Sequence, residues 1–476
     1  MILFRYIFRL ISYSVITLIL LFSGLLIVHV TNLPELKIWH TTILSSDFKK
    51  NSTISSFKEY LLLEKKLFKE LDAKITSKPD PQKPVPLNRY YHGSRSNPKQ
   101  LQGNINQSYV IPAKPPKASV LLLHGMSDSP YSLRHIGKRL SQENVYVVGL
   151  RYPGHGTLPS GLLDITWEDM MRSVSLAIDY LKEQVPDKPV YIIGYSTGGA
   201  LGLLYVLSEL EQKQKSLISG VVLISPAIGI TPVAALARGQ EIISRIPGME
   251  KLSWTDIGPE YNPVKYTSFP VNAGHQVYRL TQEIKRKLTD AQGKQTIEAL
   301  PPIMAFQSIA DSTVLTSALI KDLYLKLNSP NHELIVFDIN RRFSLKGLIK
   351  KDEMSYLQTL LTKDAANFTL TLITNFYTEI SEVQIVSRIP RKQNYSQIDT
   401  MYKWPEKIYS LSHVALPFPQ HDPVYGTEKD KAVINLGNLA VHGERGILAI
   451  PANEILRLKW NPFYNYMEKR ILEILP

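Results

Sequence analysis

Between residues 118 and 228 the sequence alternates short apolar runs with amphipathic stretches, and this alternation restricts the fold more than any other feature. SVLLLHG (119–125), VYVVGLRYPG (145–154), PVYIIGYS (189–196) and GVVLISPAI (220–228) have strand length and end in turns. YSLRHIGKRLSQ (131–142), WEDMMRSVSLAIDYLKEQ (167–184) and TGGALGLLYVLSELEQ after Ser196 have helical spacing. Strands apolar on both faces must be covered on both faces. The pattern therefore predicts an α/β chain with a mostly parallel, doubly wound sheet. PPIMAFQSIADSTV (301–314) and HELIVFDI (332–339) add two more strands. Two stretches break the rhythm. Residues 229–300 stand where a cap over a site would be inserted. Residues 340–405 read as a second insertion, part of which alternates like a strand pair. IYSLSHVALPF (408–418) and RGILAIPANEILRLKW (445–460) complete the 118–476 domain.

The N-terminus carries a different signal. Leu10–Val30 contains no Asp, Glu, Lys or Arg, and Arg5 and Arg9 precede it. About 20 apolar residues cross a bilayer core, and the positive-inside rule keeps the basic tip in the cytoplasm. Residues 1–30 are thus expected to be a single-pass anchor, with the remainder extracytoplasmic (periplasmic in a Gram-negative bacterium). A cleaved signal peptide is the competing reading, but VHVTNLPEL offers no small-x-small cleavage site. Residues 31–117 join a Lys-rich helical stretch, KEYLLLEKKLFKELDAKI (58–75), to the Pro-rich SKPDPQKPVPLNRY. They read as a stalk or linker that spaces the domain from the bilayer.

Composition narrows the partners. The chain has no cysteine, which excludes disulfides, a thiol nucleophile and thiolate metal sites. Its 55 Lys+Arg against 42 Asp+Glu give a net charge of +13, and only Arg5 and Arg9 among the basic residues precede the end of the apolar segment. That charge would face anionic lipid headgroups, where each nearby Lys or Arg contributes about 1 kcal/mol. The basic runs KRK (285–287), RR (341–342) and KK (350–351) are short and scattered. No nucleic-acid motif accompanies them, so nucleic acid is not an expected partner.

The chemistry centres on GYSTG (194–198), a G-x-S-x-G between a buried strand and a helix. That context describes a tight turn lifting Ser196 above the sheet at a helix N-terminus. Gly194 and Gly198 are needed because a Cβ there would collide with the neighbouring backbone. The alternative is a Ser capping an ordinary βα turn. LLLHGMSDSP (121–130) supplies a strand followed by His124-Gly125, the loop that in hydrolases of this type contributes to an oxyanion hole. The donors would be the backbone amides of Met126 and Thr197, with His124 holding the loop. Among later acids, Asp311 sits in a loop past a buried strand at the carboxyl edge of the sheet, where catalytic groups collect. The base is harder to choose. His413, His421 and His442 all follow the acid, and spacing alone leaves the three open.

Five segments together resemble one branch of the α/β-hydrolases: HGMSDSPYSLR (124–134), RYPGHGT (151–157), TWEDM (166–170), IGYSTGGALGL (193–203) and IADSTV (309–314). They are similar to monoacylglycerol lipases and lysophospholipase-like enzymes, including bacterial ones with an N-terminal hydrophobic helix. The resemblance covers 118–340 and, through SLSHVALPF, 405–430. It implies an α/β-hydrolase fold, Ser196 as nucleophile, Asp311 as acid and His413 as base. It further implies lipid-like acyl esters as substrates, with no metal or organic cofactor. The 340–405 stretch departs from ordinary members. An acyltransferase or thioesterase on the same residues, and a non-catalytic binding protein of the same fold, are the alternative classes.

Overall fold

The computed structural model describes the chain except residues 1, 79–86, 102, 214–215, 230–239, 241, 312, 343–356, 358–359, 362–366, 378–379, 391–394, 407, 428–432 and 438–456. Ten strands build the main sheet: β1 Tyr109–Ile111, β2 Ala118–Leu123, β3 Val145–Leu150, β4 Val190–Tyr195, β5 Ile218–Ile224, β6 Ile303–Ser308, β7 Glu333–Phe337, β8 Thr369–Asn375, β9 Glu382–Arg388 and β10 Ser396–Lys403. Their spatial order is β1-β3-β2-β4-β5-β6-β7-β8-β9-β10. From β3 to β8 every neighbouring pair is parallel. At the edges β1, β9 and β10 run antiparallel to their neighbours.

Side-chain alternation along each strand splits the core in two. Leu121 and Leu123 of β2 point into one apolar cluster, and Val120 and Leu122 into the other. The first face is covered by α4 Trp167–Gln184, α5 Thr197–Lys213, α6 Val271–Gly293 and α7 Thr316–Asp322. The second is covered by α3 Arg134–Gln142 and α8 Tyr464–Leu472. Local chemistry sets these boundaries. Thr166 caps α4 by accepting from the Asp169 amide, and the Asp169 carboxylate returns the bond to the Thr166 amide. The basic run on α6 is matched by acids: Arg286 pairs with Glu283 and Asp290, and Lys287 with Glu211.

The second insertion has a place in the sheet: within 340–405, β8 to β10 continue it beyond β7. Its strand signal was diluted because β10 is largely solvent-exposed and carries polar residues on both faces. The stretch leaves and rejoins the body at one point. Asn340 donates from its amide to the Tyr409 carbonyl (2.7 Å) and from Nδ2 to the Ile408 carbonyl (2.9 Å). The segment 229–300, read as a cap, divides into two parts. α6 belongs to the layer on the sheet face, where Val277, Leu280, Ile284 and Leu288 are core residues. Residues 259–268 do lie at the carboxyl edge, with Tyr266 donating from its amide to the Ser127 carbonyl (2.8 Å).

The largest change concerns the stalk. α2 Phe57–Leu71 buries Phe57, Tyr60, Glu64, Leu67 and Leu71, and Phe48, Phe57 and Tyr60 belong to the main core cluster. The lysines on its outer face gave the helix its solvated look, while the inner stripe at positions 57, 60, 64, 67 and 71 is a packing face. Arg151, at the end of β3, is buried between carboxylates of this extension. It pairs with Asp47 at 3.1 Å and with Glu64 at 3.4 Å. Glu64 also accepts from Ser108, and Tyr60 donates to the Arg151 carbonyl at 2.6 Å. A spacer would carry no such buried ion cluster, since unpaired members would each cost several kcal/mol.

The N-terminal helix α1, Ile2–Asn32, stands off this body. Its stretch Phe4–Asn32 contains an 18-residue window of mean hydropathy 2.4 and is long and apolar enough to cross a membrane. Leu10, Leu18 and Leu25 are among its exposed apolar side chains.

Packing of α2 can be tested directly. Phe57→Ala should lower unfolding free energy by about 3–5 kcal/mol, the usual cost of emptying a buried Phe site. Denaturant melts of the chain would read it, and an unchanged midpoint would return α2 to the status of a solvated stalk.

Candidate active site

Ser196 occupies the turn between β4 and α5 with φ at +53°, in the left-handed region. A non-glycine residue held there costs on the order of 1–3 kcal/mol, so the surroundings must enforce it. They do so by backbone contact. The Ser196 amide donates to the Ile224 carbonyl (2.9 Å), and its carbonyl accepts from Ala200 (3.2 Å) and Ala227 (3.0 Å). Gly194 and Gly198 make the turn sterically possible. A Cβ on Gly194 would overlap the Gly198 carbonyl, and one on Gly198 would overlap the Leu123 carbonyl at the end of β2.

The same crowding brings the HGM loop to the serine. A Cβ on Gly125 would lie 3.2 Å from the Ser196 Cβ. His124 fixes this loop through a defined tautomer. The Tyr152 amide can only donate, so His124 Nε2 accepts from it (3.3 Å) and Nδ1–H donates to the Gly125 carbonyl (2.8 Å). Burial, with the nearby His155 and Arg151 charges, pushes the His124 pKa well below its ordinary value, which keeps the ring neutral. Because the peptide is planar, pinning the Gly125 carbonyl toward His124 turns the Met126 N–H the other way. Among the described residues neither the Met126 nor the Thr197 amide has an intramolecular acceptor. Thr197 is the first residue of α5, where unsatisfied amides and the helix dipole favour negative charge.

Asp311 and His413 meet, although 102 residues separate them. His413 Nδ1 and Asp311 Oδ2 are 2.7 Å apart and both side chains are buried. The other carboxylate oxygen accepts from the amides of Thr313 (2.9 Å) and Val314 (3.0 Å). With the carboxylate oriented in this way, Nδ1 is the donor and Nε2 the basic nitrogen. Ser308 ties the two loops together, its hydroxyl donating to the Leu411 carbonyl at 3.0 Å. The Tyr195 ring lies 5.2 Å from the His413 ring, linking that imidazole to the residue before Ser196. Of the other histidines, His421 is exposed and faces His135 with ring centroids 5.2 Å apart. His442 lies outside the described residues.

The order strand, His-Gly loop, strand, strand–Ser196–helix, with an acid after β6 and a histidine after the last parallel strands, is laid on a sheet of one topology. A known family matches the first part of that order, short of Asp311 and His413: residues 114–255 match the family described as serine aminopeptidase, S33. The chain has the α/β-hydrolase fold. Among curated proteins it is similar to a thermostable monoacylglycerol lipase of a Bacillus species, 28% identical over 169 residues, which cover 36% of this chain and 64% of that one. It is also similar to the mouse monoglyceride lipase, 26% identical over 128 residues, covering 27% and 41% of the two chains. The chain thus spans less than two thirds of the length of these relatives. Among solved structures, a Paleococcus ferrophilus monoacylglycerol lipase overlaps 48% of this chain and 88% of its own, at 20% identity and a TM-score of 0.37.

Beyond GYSTG and the His-Gly loop, this α/β-hydrolase uses residues the sequence reading passed over. Asn340 closes the neck before His413, and its place directly after the strand HELIVFDI was the available signal. Tyr266 braces the loop that follows Met126, and nothing local in its surroundings announces that role. Asp128, also in this loop, is buried. Burial, opposed by the Lys265 charge, pushes its pKa up to about 6.

The neutral His124 has a measurable consequence. Its folded pKa is below the unfolded value of about 6.5, so the unfolded state binds more protons as pH falls. The stability it contributes is present above pH 6.5 and is lost as pH drops below that value. His124→Asn keeps a donor for Gly125 without a titrating ring. At pH 5.5 the variant should take up about one proton fewer on unfolding than the parent. Calorimetry in buffers of differing ionisation enthalpy reads the count, and equal uptake would show that His124 is charged in the fold.

Proposed function

We propose that the chain is a serine hydrolase that cleaves carboxylic esters of lipid-like acyl groups, of monoacylglycerol or lysophospholipid size. The observation that carries this reading is the 2.7 Å bond between His413 and Asp311, on the same sheet edge as a serine held at φ +53°. Ser196 is the nucleophile, His413 the base and Asp311 its orienting acid. His413 Nε2 takes the Ser196 proton as Oγ attacks the ester carbonyl, and returns it to the departing alcohol. The Met126 and Thr197 amides receive the oxyanion, and losing one such donor typically costs about 100- to 1,000-fold in rate. Water then releases the acid, with His413 acting again as base. Similarity to monoacylglycerol lipases supports an acyl ester over a soluble, polar one.

The α1 helix serves in this reading as a membrane anchor, with its basic tip cytoplasmic and the catalytic body on the opposite side. The basic body would then work against anionic lipid headgroups. Unchanged activity on anionic vesicles between low and high salt would refute that docking.

Ser196→Ala should abolish monoacylglycerol hydrolysis and labelling by a fluorophosphonate probe. Asp311→Asn should keep the fold and lower kcat by roughly 10,000-fold, through loss of the correct imidazole tautomer. Labelling of the Ser196→Ala protein at the parent level would end the assignment. A series of acyl chain lengths, with amide and thioester counterparts, identifies the bond cleaved.

A further inference from the structure

A cavity not lined by Ser196 lies where the N-terminal extension meets the sheet domain. It has a volume of about 360 Å³ and is lined by α2, by parts of residues 89–106 and by Gly156 and Thr157. That volume is within the range of small-molecule sites, about 300–1,000 Å³. Phe68, Leu71, Tyr90 and Leu101 form its apolar side.

Two groups in its wall are chemically unfinished. Arg89 is 3% exposed, and its Nη1 has no hydrogen-bond partner. Its guanidinium lies 5.3 Å from the Tyr266 ring centroid and 5.8 Å from that of Tyr90. Such contacts stabilise a desolvated cation, but by less than an unpaired buried charge costs. Among the described residues no carboxylate forms an ion pair with it. Glu260 is near enough to be felt electrostatically, but its oxygens accept from the Ser268 (2.9 Å) and Thr267 (3.3 Å) amides. Asp72, at the rim, is engaged by Lys99 (3.3 Å) and Thr76 (2.7 Å). The second unfinished group is Asn106. Its Nδ2 donates to the Pro263 carbonyl (2.9 Å), which fixes the amide orientation and leaves the buried Oδ1 without a donor.

We propose that this cavity is a binding site for a small amphiphilic carboxylate. The head would pair with the Arg89 guanidinium, and a medium-length apolar body would lie against Phe68, Leu71 and Leu101. A single buried cation balances one carboxylate, whereas a phosphate dianion would call for more donors than this wall offers. A hydroxyl on the ligand near its head would satisfy Asn106 Oδ1. The site touches the catalytic region through Tyr266, whose ring lies under Arg89 and whose amide holds the Ser127 carbonyl.

Calorimetric titration of the full chain carrying Ser196→Ala, so that nothing is turned over, tests this independently of the catalytic reading. Octanoate should bind at one site, octanol at least tenfold more weakly, and 3-hydroxyoctanoate at least as tightly as octanoate. Arg89→Gln should weaken octanoate at least tenfold and leave octanol unchanged. Leu101→Trp fills the cavity with Arg89 intact and should abolish both, which keeps the test open if Arg89→Gln does not fold. Octanoate binding that is absent, no tighter than octanol, or unaltered by Leu101→Trp would overturn the proposal; the last result would place the ligand over residue 196 instead.

Discussion

The backbone-on-backbone contact between the start of α5 and the ends of β2 and β4 sets the geometry of the whole site. Helix and sheet approach so closely at Gly194 and Gly198 that no side chain fits. That approach forces the turn at Ser196 into the left-handed region and delivers Gly125 alongside it. The free amides of Met126 and Thr197 are a by-product of the same closeness, since one lies in the loop after β2 and the other starts α5. A serine in a looser turn would retain its hydroxyl and lose these neighbours. The strain at Ser196 is offset by the fully buried strands on either side, whose packing would be lost if the turn relaxed.

The histidine reaches this place by a different device. In sequence it is remote from Asp311, and four strands of the main sheet, β7 to β10, intervene. The neck at Asn340 removes that distance from the geometry, because the chain rejoins the body beside the end of β7. The sheet extension can therefore vary in length or content without displacing His413. Ser308, which bonds the Leu411 carbonyl, and Ser412, which bonds the Leu458 carbonyl, supply the local rigidity.

The parts of this arrangement written in short-range patterns were legible in the sequence. Strand-length apolar runs, the two glycines around Ser196 and the acid after a buried strand each depend on neighbours within a few residues. Expecting His413 rather than His421 to meet Asp311 needed the resemblance, because Asp311 lies in a loop after a strand, 102 residues away. The role of residues 31–117 was misjudged for a related reason. Glu64 and Arg151 each look like solvated charges in isolation, and only their meeting in three dimensions turns α2 inward. The alternation within 369–403 was visible, but an exposed edge strand such as β10 lacks the apolar face that would have assigned it to the main sheet.

The docking of the extension also bears on how the body is suspended. α1 ends at Asn32, and His40 is already buried, bonded through Nε2 to Ser268 at 2.9 Å. Lys251 further ties down the Leu33 carbonyl at 2.7 Å. The slack between helix and body is therefore the run 33–37, which even fully extended reaches only about 17 Å. A long, loose leash would let a tethered body sample all orientations and sweep a wide volume. A link this short, pinned at both ends, transmits the tilt of the helix to the body.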